Sequence, residues 1–275
     1  MCTRVMWKSD LGVITGRTMD WPESTQPLLT VTPRGRMRHG GTVGDQLLIT
    51  DNAHAWRSRY GSLSTSVYGI GTVDGLNERG LGAHALYLTS ADYGRRDPSR
   101  PGVQNGLWTQ YVLDNAASVD EALALMDDVQ LVMASAHGHD ANIHLAIEDV
   151  DGDSAILEFL DGEMVVHHGP QYRVMTNEPP YDQQLDLLAQ QDFSEPASDV
   201  PVPGNVNPID RFQRASYFEA LLPKPANERE AAASMFSVMR NVSVPFGAPY
   251  RATSASTTPN TAPSPMPVRC AITSS

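Results

Sequence analysis

The chain has 275 residues, 41% of them hydrophobic and 19% charged, with a formal charge of −12 at pH 7. That length suits one large domain or two small ones around a sizeable core, and the negative charge excludes a surface built to hold nucleic-acid phosphates. No apolar run reaches the roughly 18 residues of a membrane-spanning helix, and the first residues lack a charged-then-apolar export segment, so a cytoplasmic protein is expected.

Residues 2–7 and 11–19 are rich in Val, Ile, Thr and Met and predict a β-hairpin turning at Lys8-Ser9-Asp10. Pro22 ends the second strand, because it restricts Trp21 and supplies no ladder donor. Leu28–Thr32 predicts a further strand. Residues 36–46 read as a polar, Gly-rich loop, and 47–50 and 66–70 as strand-like. The glycines of 69–75 have the wrong spacing for a dinucleotide loop. Residues 75–80 read as a turn, from which 81–88 returns as a strand.

Apolar residues at helical spacing predict a helix over 104–115, and Ser118 with Glu121 forms a capping box that opens a second. Ile143–Glu148, Ser154–Leu160 and Glu163–His168 read as three antiparallel strands. The turn at 149–153 is a poor calcium loop, since Ser154 and Leu160 stand where such a loop needs Gly and Glu. A short strand over 173–176 precedes a helical stretch near 181–190 and a Pro- and Ser-rich loop over 192–207. Helices are expected over 208–222 and 227–240, with Asn227 as an N-cap. This order suits an α+β fold with antiparallel sheets packed together and helices outside.

The last 24 residues, 252–275, hold five Ser, five Thr and four Pro and few large apolar side chains. So little burial does not offset the entropy of ordering, so a domain over 1–251 and a disordered tail over 252–275 are expected. The two cysteines, Cys2 and Cys270, do not suggest a disulfide framework.

Cys2 is the first candidate for chemistry. Loss of Met1 is expected and would give Cys2 a free α-amine, with a reference pKa of about 7.7–8.0. Such an amine can accept the proton of its own residue's nucleophile. Arg17 nearby would favour thiolate by charge, and Asp20 would hold the amine by a charge-assisted hydrogen bond. Taken alone, Cys2 reads first as a buried strand cysteine.

Five motifs in order resemble one family. They are Met1-Cys2-Thr3-Arg4, Gly16-Arg17-Thr18-Met19-Asp20-Trp21, Gly75-Leu76-Asn77-Glu78-Arg79-Gly80-Leu81, Thr176-Asn177-Glu178-Pro179 and Asp210-Arg211-Phe212. The pattern is similar to the choloylglycine hydrolase and penicillin V acylase family of N-terminal nucleophile hydrolases. The resemblance implies a four-layer α-β-β-α sandwich of two antiparallel sheets with Cys2 at the edge of one sheet. It also implies a cysteine amidohydrolase that cleaves linear C–N amide bonds without a cofactor. The family usually continues with more strands where this chain enters its tail, so C-terminal strands are expected to be missing.

The same resemblance gives roles to residues that also have plainer readings. Asn177 would contribute to the oxyanion hole, or simply shape the turn before Pro179. Tyr87 would donate to the oxyanion or line the acyl pocket, or be a strand aromatic. Arg211 would act electrostatically around Cys2 and Asp20, with Arg214 as rival. Trp21 would stand at the pocket mouth, or pack in the core. His137, His139 and His144 with Asp140 make a weak metal pattern, and no metal is expected. The substrate expected is a small-molecule amide of the penicillin V or N-acyl homoserine lactone type, with conjugated bile acids as the alternative. A homotetramer is expected, and an inactive relative that only binds small molecules is the reading from another class.

Overall fold

The computed structural model describes residues 1–245 except 22 and 137, together with residue 248 and residues 269–273. The N-terminal hairpin forms as expected from β1 (Cys2–Ser9) and β2 (Gly12–Met19), paired so that Arg4 faces Arg17 and Cys2 faces Met19. The turn lies slightly later than expected, at Asp10-Leu11, where Gly12 takes a positive φ of 118°. The next strands of the main sheets are β3 (Leu28–Thr32), β4 (Ser62–Val67), β5 (Gly71–Asn77) and β6 (Gly82–Tyr87). The expected strand over 66–70 therefore lies earlier, and β5 occupies the start of the expected turn at 75–80. Tyr68 and Gly69, both at positive φ, turn the chain between β4 and β5.

The three antiparallel strands are β7 (Ile143–Glu148), β8 (Ser154–Leu160) and β9 (Glu163–His168), and β10 (Val174–Met175) follows. One large sheet has the order β9-β8-β7-β6-β5-β4-β3. A second, of four strands, has the order β10-β1-β2-β11, where β11 is Arg269–Thr273.

That last strand corrects the expectation for the tail. Residues 252–268 and 274–275 lie outside the described residues, but Arg269–Thr273 pairs antiparallel with β2 along Val13 to Arg17. The physical reason is the edge of β2. Its backbone donors and acceptors need partners, and a short strand satisfies them without a large apolar core of its own. The four-stranded sheet thus gains a C-terminal strand where none was expected.

Helices α1 (Trp108–Asn115) and α2 (Val119–Ala124) cover the outer face of the large sheet. Ser118 caps α2 by accepting from the backbone N–H of Glu121. After α3 (Tyr181–Leu188), α4 (Pro208–Ala220) and α5 (Glu228–Val242) cover the outer face of the small sheet. Asn207 and Asn227 cap them, each accepting from the backbone N–H three residues on. Gly16 lets α5 approach, since a Cβ there would lie 2.7 Å from Met239 and 2.8 Å from Met235. Helices, sheet, sheet and helices make the four-layer α-β-β-α sandwich.

Alternation along the strands decides which residues reach the site. On β1, Thr3 contacts Arg211 of α4, whereas Arg4 reaches between the sheets to Glu148. Cys2 shares the inward parity of Arg4.

Candidate active site

Cys2 is 3% exposed and lines a cavity between the sheets together with Arg17, Met19, Trp21, Val67, Ile70 and Tyr87. The cavity measures about 840 Å³ including its open mouth, and its lining is mostly apolar. Apolar walls with a few convergent polar groups are the usual character of a small-molecule site.

Four elements bring the polar groups together. Arg17 follows from the hairpin register: its Nη2 lies 4.0 Å from the Cys2 Sγ and donates to the Ala85 carbonyl at 2.7 Å. Asn177 follows from β10, which pairs Met175 with Arg4 and so carries the chain to the start of β1. Its Oδ1 accepts from the Cys2 backbone N at 2.7 Å and from Arg211 Nη2 at 2.9 Å. Its Nδ2 donates to the Tyr87 carbonyl at 2.6 Å. An amide nitrogen has two hydrogens, so one remains for an oxyanion after that bond. His144 steadies this segment, with one ring nitrogen 2.9 Å from the Thr176 carbonyl and the other 2.9 Å from Glu158.

Arg211 is fully buried on α4. It donates to the Cys2 carbonyl and Thr3 Oγ1, both at 2.5 Å, and to the Val206 carbonyl at 2.9 Å. Arg214, its sequence rival, instead donates to the carbonyls of Asn241, Pro203 and Asn205.

The amine in this chain belongs to Met1, and it bonds the backbone carbonyl of Asp20. The contact expected between the Asp20 carboxylate and a Cys2 α-amine belongs to the chain without Met1. The Asp20 carboxylate accepts from Thr18 Oγ1 at 2.9 Å. Burial raises the Asp20 carboxyl above its ordinary range, against the Thr18 hydrogen bond and the charges of the N-terminal amine and Arg211. Burial also lowers the Met1 amine, opposed by Cys2 and Asp20 and assisted by Arg211 and Arg17.

Trp21 and Tyr87 meet edge to face, 5.5 Å between ring centroids. Trp21 also donates from Nε1 to the Tyr68 hydroxyl at 3.0 Å, and that hydroxyl donates to Glu23 at 2.6 Å. His139 packs edge to face on Trp21, while His144 is buried with Glu158, so the two histidines do not form a cluster. His137 lies outside the described residues. Among the described residues the one grouping of metal-ligand type is Asp120, Asp153 and His168, none of which lines the cavity.

A set of buried charges lies behind Arg17 that the sequence pattern did not assign. Arg4 pairs with Glu148, Glu148 meets His84 at 2.7 Å, and His84 pairs with Asp74. Their signal is visible in retrospect: His84 and Glu148 stand at buried positions of largely apolar strands. Burial opposes a charge on His84, but Glu148 and Asp74 outweigh it and raise the imidazole to about 9. A raised folded pKa stabilises the fold fully below the unfolded value, about 6.5, and that contribution is lost as pH rises through about 9. Chemical denaturation should therefore show stability falling between those two pH values, and His84→Gln should flatten that slope. A slope unchanged in the variant would assign the loss to another group.

This fold and constellation define an N-terminal nucleophile hydrolase architecture, with a cysteine at the head of a central strand. The match to the model of the linear amide C–N hydrolases, choloylglycine hydrolase family, runs over residues 2–262, and the chain belongs to that family. It is 38% identical over 257 residues to a penicillin V acylase of Pectobacterium atrosepticum, covering 85% of this chain and 66% of that protein. The chain thus spans just under two thirds of that relative's length. It is 27% identical over 280 residues to a bile salt hydrolase/transferase of Bifidobacterium longum, covering 90% of this chain and 83% of the relative. The structure of a penicillin V acylase from Agrobacterium tumefaciens superposes with a TM-score of 0.81 at 40% identity, over 91% of this chain and 75% of that one. A conjugated bile acid hydrolase from Clostridium perfringens shares the fold, with a TM-score of 0.75 at 21% identity over 92% and 82% of the two chains.

Proposed function

We propose that this protein is a cysteine amidohydrolase acting on small linear amides of the penicillin V or N-acyl homoserine lactone type. The observation that carries the proposal is Cys2 in an apolar cavity, with Arg17, Asn177 and Arg211 around it. Family membership and the likeness to penicillin V acylases support it.

In this reading loss of Met1 frees the α-amine of Cys2. The amine takes the thiol proton as Sγ attacks the amide carbonyl, forming an S–C bond. The oxyanion receives the second hydrogen of Asn177 Nδ2. As the C–N bond breaks, the ammonium returns its proton to the leaving nitrogen, giving a free amine and a thioester on Cys2. Water then attacks the thioester, its proton passes through the α-amine to Sγ, and a carboxylic acid leaves. Asp20 and Arg211 hold the N-terminal residue, and Arg17 stands beside the sulfur. Each step closes with the protein's own groups, so the proposal invokes no cofactor. The same proposal takes in a cytoplasmic location and, from the family resemblance, a homotetramer.

Trp21 and Tyr87 favour an aromatic or fatty acyl group over a steroid, because two rings in edge-to-face contact narrow the cavity wall. The test is a panel of penicillin V, acyl homoserine lactones and glycocholate, with intact-mass measurement of the same preparation. Hydrolysis of penicillin V or a lactone amide faster than glycocholate, by a chain lacking Met1, is expected. Faster cleavage of glycocholate would move the assignment to bile salt hydrolysis. Activity in a chain that keeps Met1 would end the terminal-amine mechanism.

A further inference from the structure

Cys2 stands at one end of a row of buried charges that alternate in sign. Arg4 pairs with Glu148. Glu148 Oε1 accepts from Thr15 Oγ1 at 2.8 Å and lies 2.7 Å from His84 Nε2. His84 Nδ1 pairs with Asp74 Oδ1, which is 4.0 Å from Arg17 Nε. Arg17 Nη2 is in turn 4.0 Å from the Cys2 Sγ. Arg4, Arg17, His84 and Glu148 are each at most 6% exposed, and the Asp74 side chain is 16% exposed.

The geometry sets the charge on the middle member. Each ring nitrogen of His84 faces a carboxylate oxygen, and an ionised carboxylate only accepts. A neutral imidazole has a single N–H and can donate to one of them. Donation to both requires imidazolium. The row then reads plus, minus, plus, minus, plus from Arg4 to Arg17, and its unmatched positive end adjoins Cys2.

Arg17 has few other restraints. Its Nη2 donates to the Ala85 carbonyl and its Nη1 lies 3.7 Å from Met19 Sδ. Its Nε makes no hydrogen bond among the described residues. Asp74 is the carboxylate beside the guanidinium, 4.0 Å from its Nε, and His84 is the group paired with Asp74. The other charged groups around Cys2 are the N-terminal amine, Asp20 and Arg211; the amine bonds the Asp20 carbonyl, the Asp20 carboxylate accepts from Thr18, and Arg211 donates to the Cys2 carbonyl, Thr3 and Asn177.

We propose that Asp74 and His84 are positioning residues for Cys2: they fix the Arg17 guanidinium beside the sulfur, where its charge acts on the nucleophile. The role rests on Cys2 being the nucleophile, yet it is measurable without turnover. The raised imidazole of His84 agrees with the charge pattern.

The test is the pH–rate profile for alkylation of Cys2 by iodoacetamide, in a Cys270→Ser background that leaves Cys2 as the remaining thiol. An opposite charge a few ångströms away commonly shifts an ionisation by one unit or more. Asp74→Asn, folded by circular dichroism, should therefore alkylate about tenfold more slowly at pH 7, with its profile displaced to higher pH. His84→Gln should do the same to a smaller extent. For penicillin V, kcat should fall in both variants with KM within about twofold of wild type. Should Asp74→Asn not fold, Asp74→Glu carries the test. It keeps the charge but moves the carboxylate, and roughly threefold slower alkylation is expected. Profiles identical to wild type in folded variants would make the row a structural element alone and overturn the proposal. Turnover persisting in Cys2→Ala would instead remove the proposed mechanism while leaving the alkylation result intact.

Discussion

Cys2→Ala should abolish turnover while leaving the fold and melting temperature nearly unchanged. The thiol is the group proposed to form the covalent bond, and none of the other cavity-lining groups around it supplies a comparable nucleophile. Ser135 and Asp140 are exposed and bonded to each other, and Thr72 is already bonded to Gln110. The alanine retains the backbone N–H that bonds Asn177 and the carbonyl that bonds Arg211. Loss of one buried sulfur is a small change in packing, and hydrophobic replacements of similar size commonly cost under about 1.5 kcal/mol. Removing the nucleophile of an acyl-transfer site costs far more in rate, on the order of 10⁶ in a well-studied protease. Cys2→Ser should keep a small residue of activity, because a hydroxyl ionises far less readily than a thiol. Activity in Cys2→Ala within tenfold of wild type would remove Cys2 from the mechanism.

Asn177→Ala should lower kcat by roughly 10²–10³, the usual loss on removing one oxyanion donor. Here the side chain also has a second duty. Its Oδ1 accepts from both the Cys2 N–H and Arg211 Nη2, and all three groups are buried. Truncation leaves two buried donors without that acceptor, at about 1–3 kcal/mol for a neutral group and more for a charged one. A fall in melting temperature should therefore accompany the fall in kcat. Asn177→Asp separates the two effects: it keeps an acceptor for Arg211 but loses the amide donor. Stability restored only in part is expected, because a carboxylate cannot donate to the Tyr87 carbonyl, with kcat still depressed. An unchanged kcat in Asn177→Ala would exclude the residue from the oxyanion hole.

Much of the architecture was legible in the residues. The strands Leu28–Thr32, Ile143–Glu148, Ser154–Leu160 and Glu163–His168 lie where their apolar and β-branched patterns predict. The caps Ser118 and Asn227 open the helices expected of them. Less legible was the region of 36–50, read as a loop and then a strand, which holds the short strands Met37–His39, Thr42–Val43 and Gln46–Leu47. Segments of two or three residues carry too little periodicity to register. The strand Arg269–Thr273 escaped notice because composition measures burial, whereas this strand answers the unpaired edge of a neighbour.

The sequence by itself determined the family and most of the order of elements, and it put forward Cys2, Arg17, Asp20, Asn177 and an arginine of α4 as candidates. Those follow from local pattern and from motifs that keep their order along the chain. Tertiary structure decided between Arg211 and Arg214, two arginines within one turn of helix, because only the packing of α4 on β1 determines which one faces Cys2. It also gave Asn177 its acceptor role and joined Asp74, His84, Glu148 and Arg4 into one row. Those residues are separated by up to 144 positions in sequence, and their contact depends on strand parity and on how two sheets meet face to face. No local pattern encodes that meeting, since a charged residue in an apolar strand finds its partner only once the opposite sheet has closed over it.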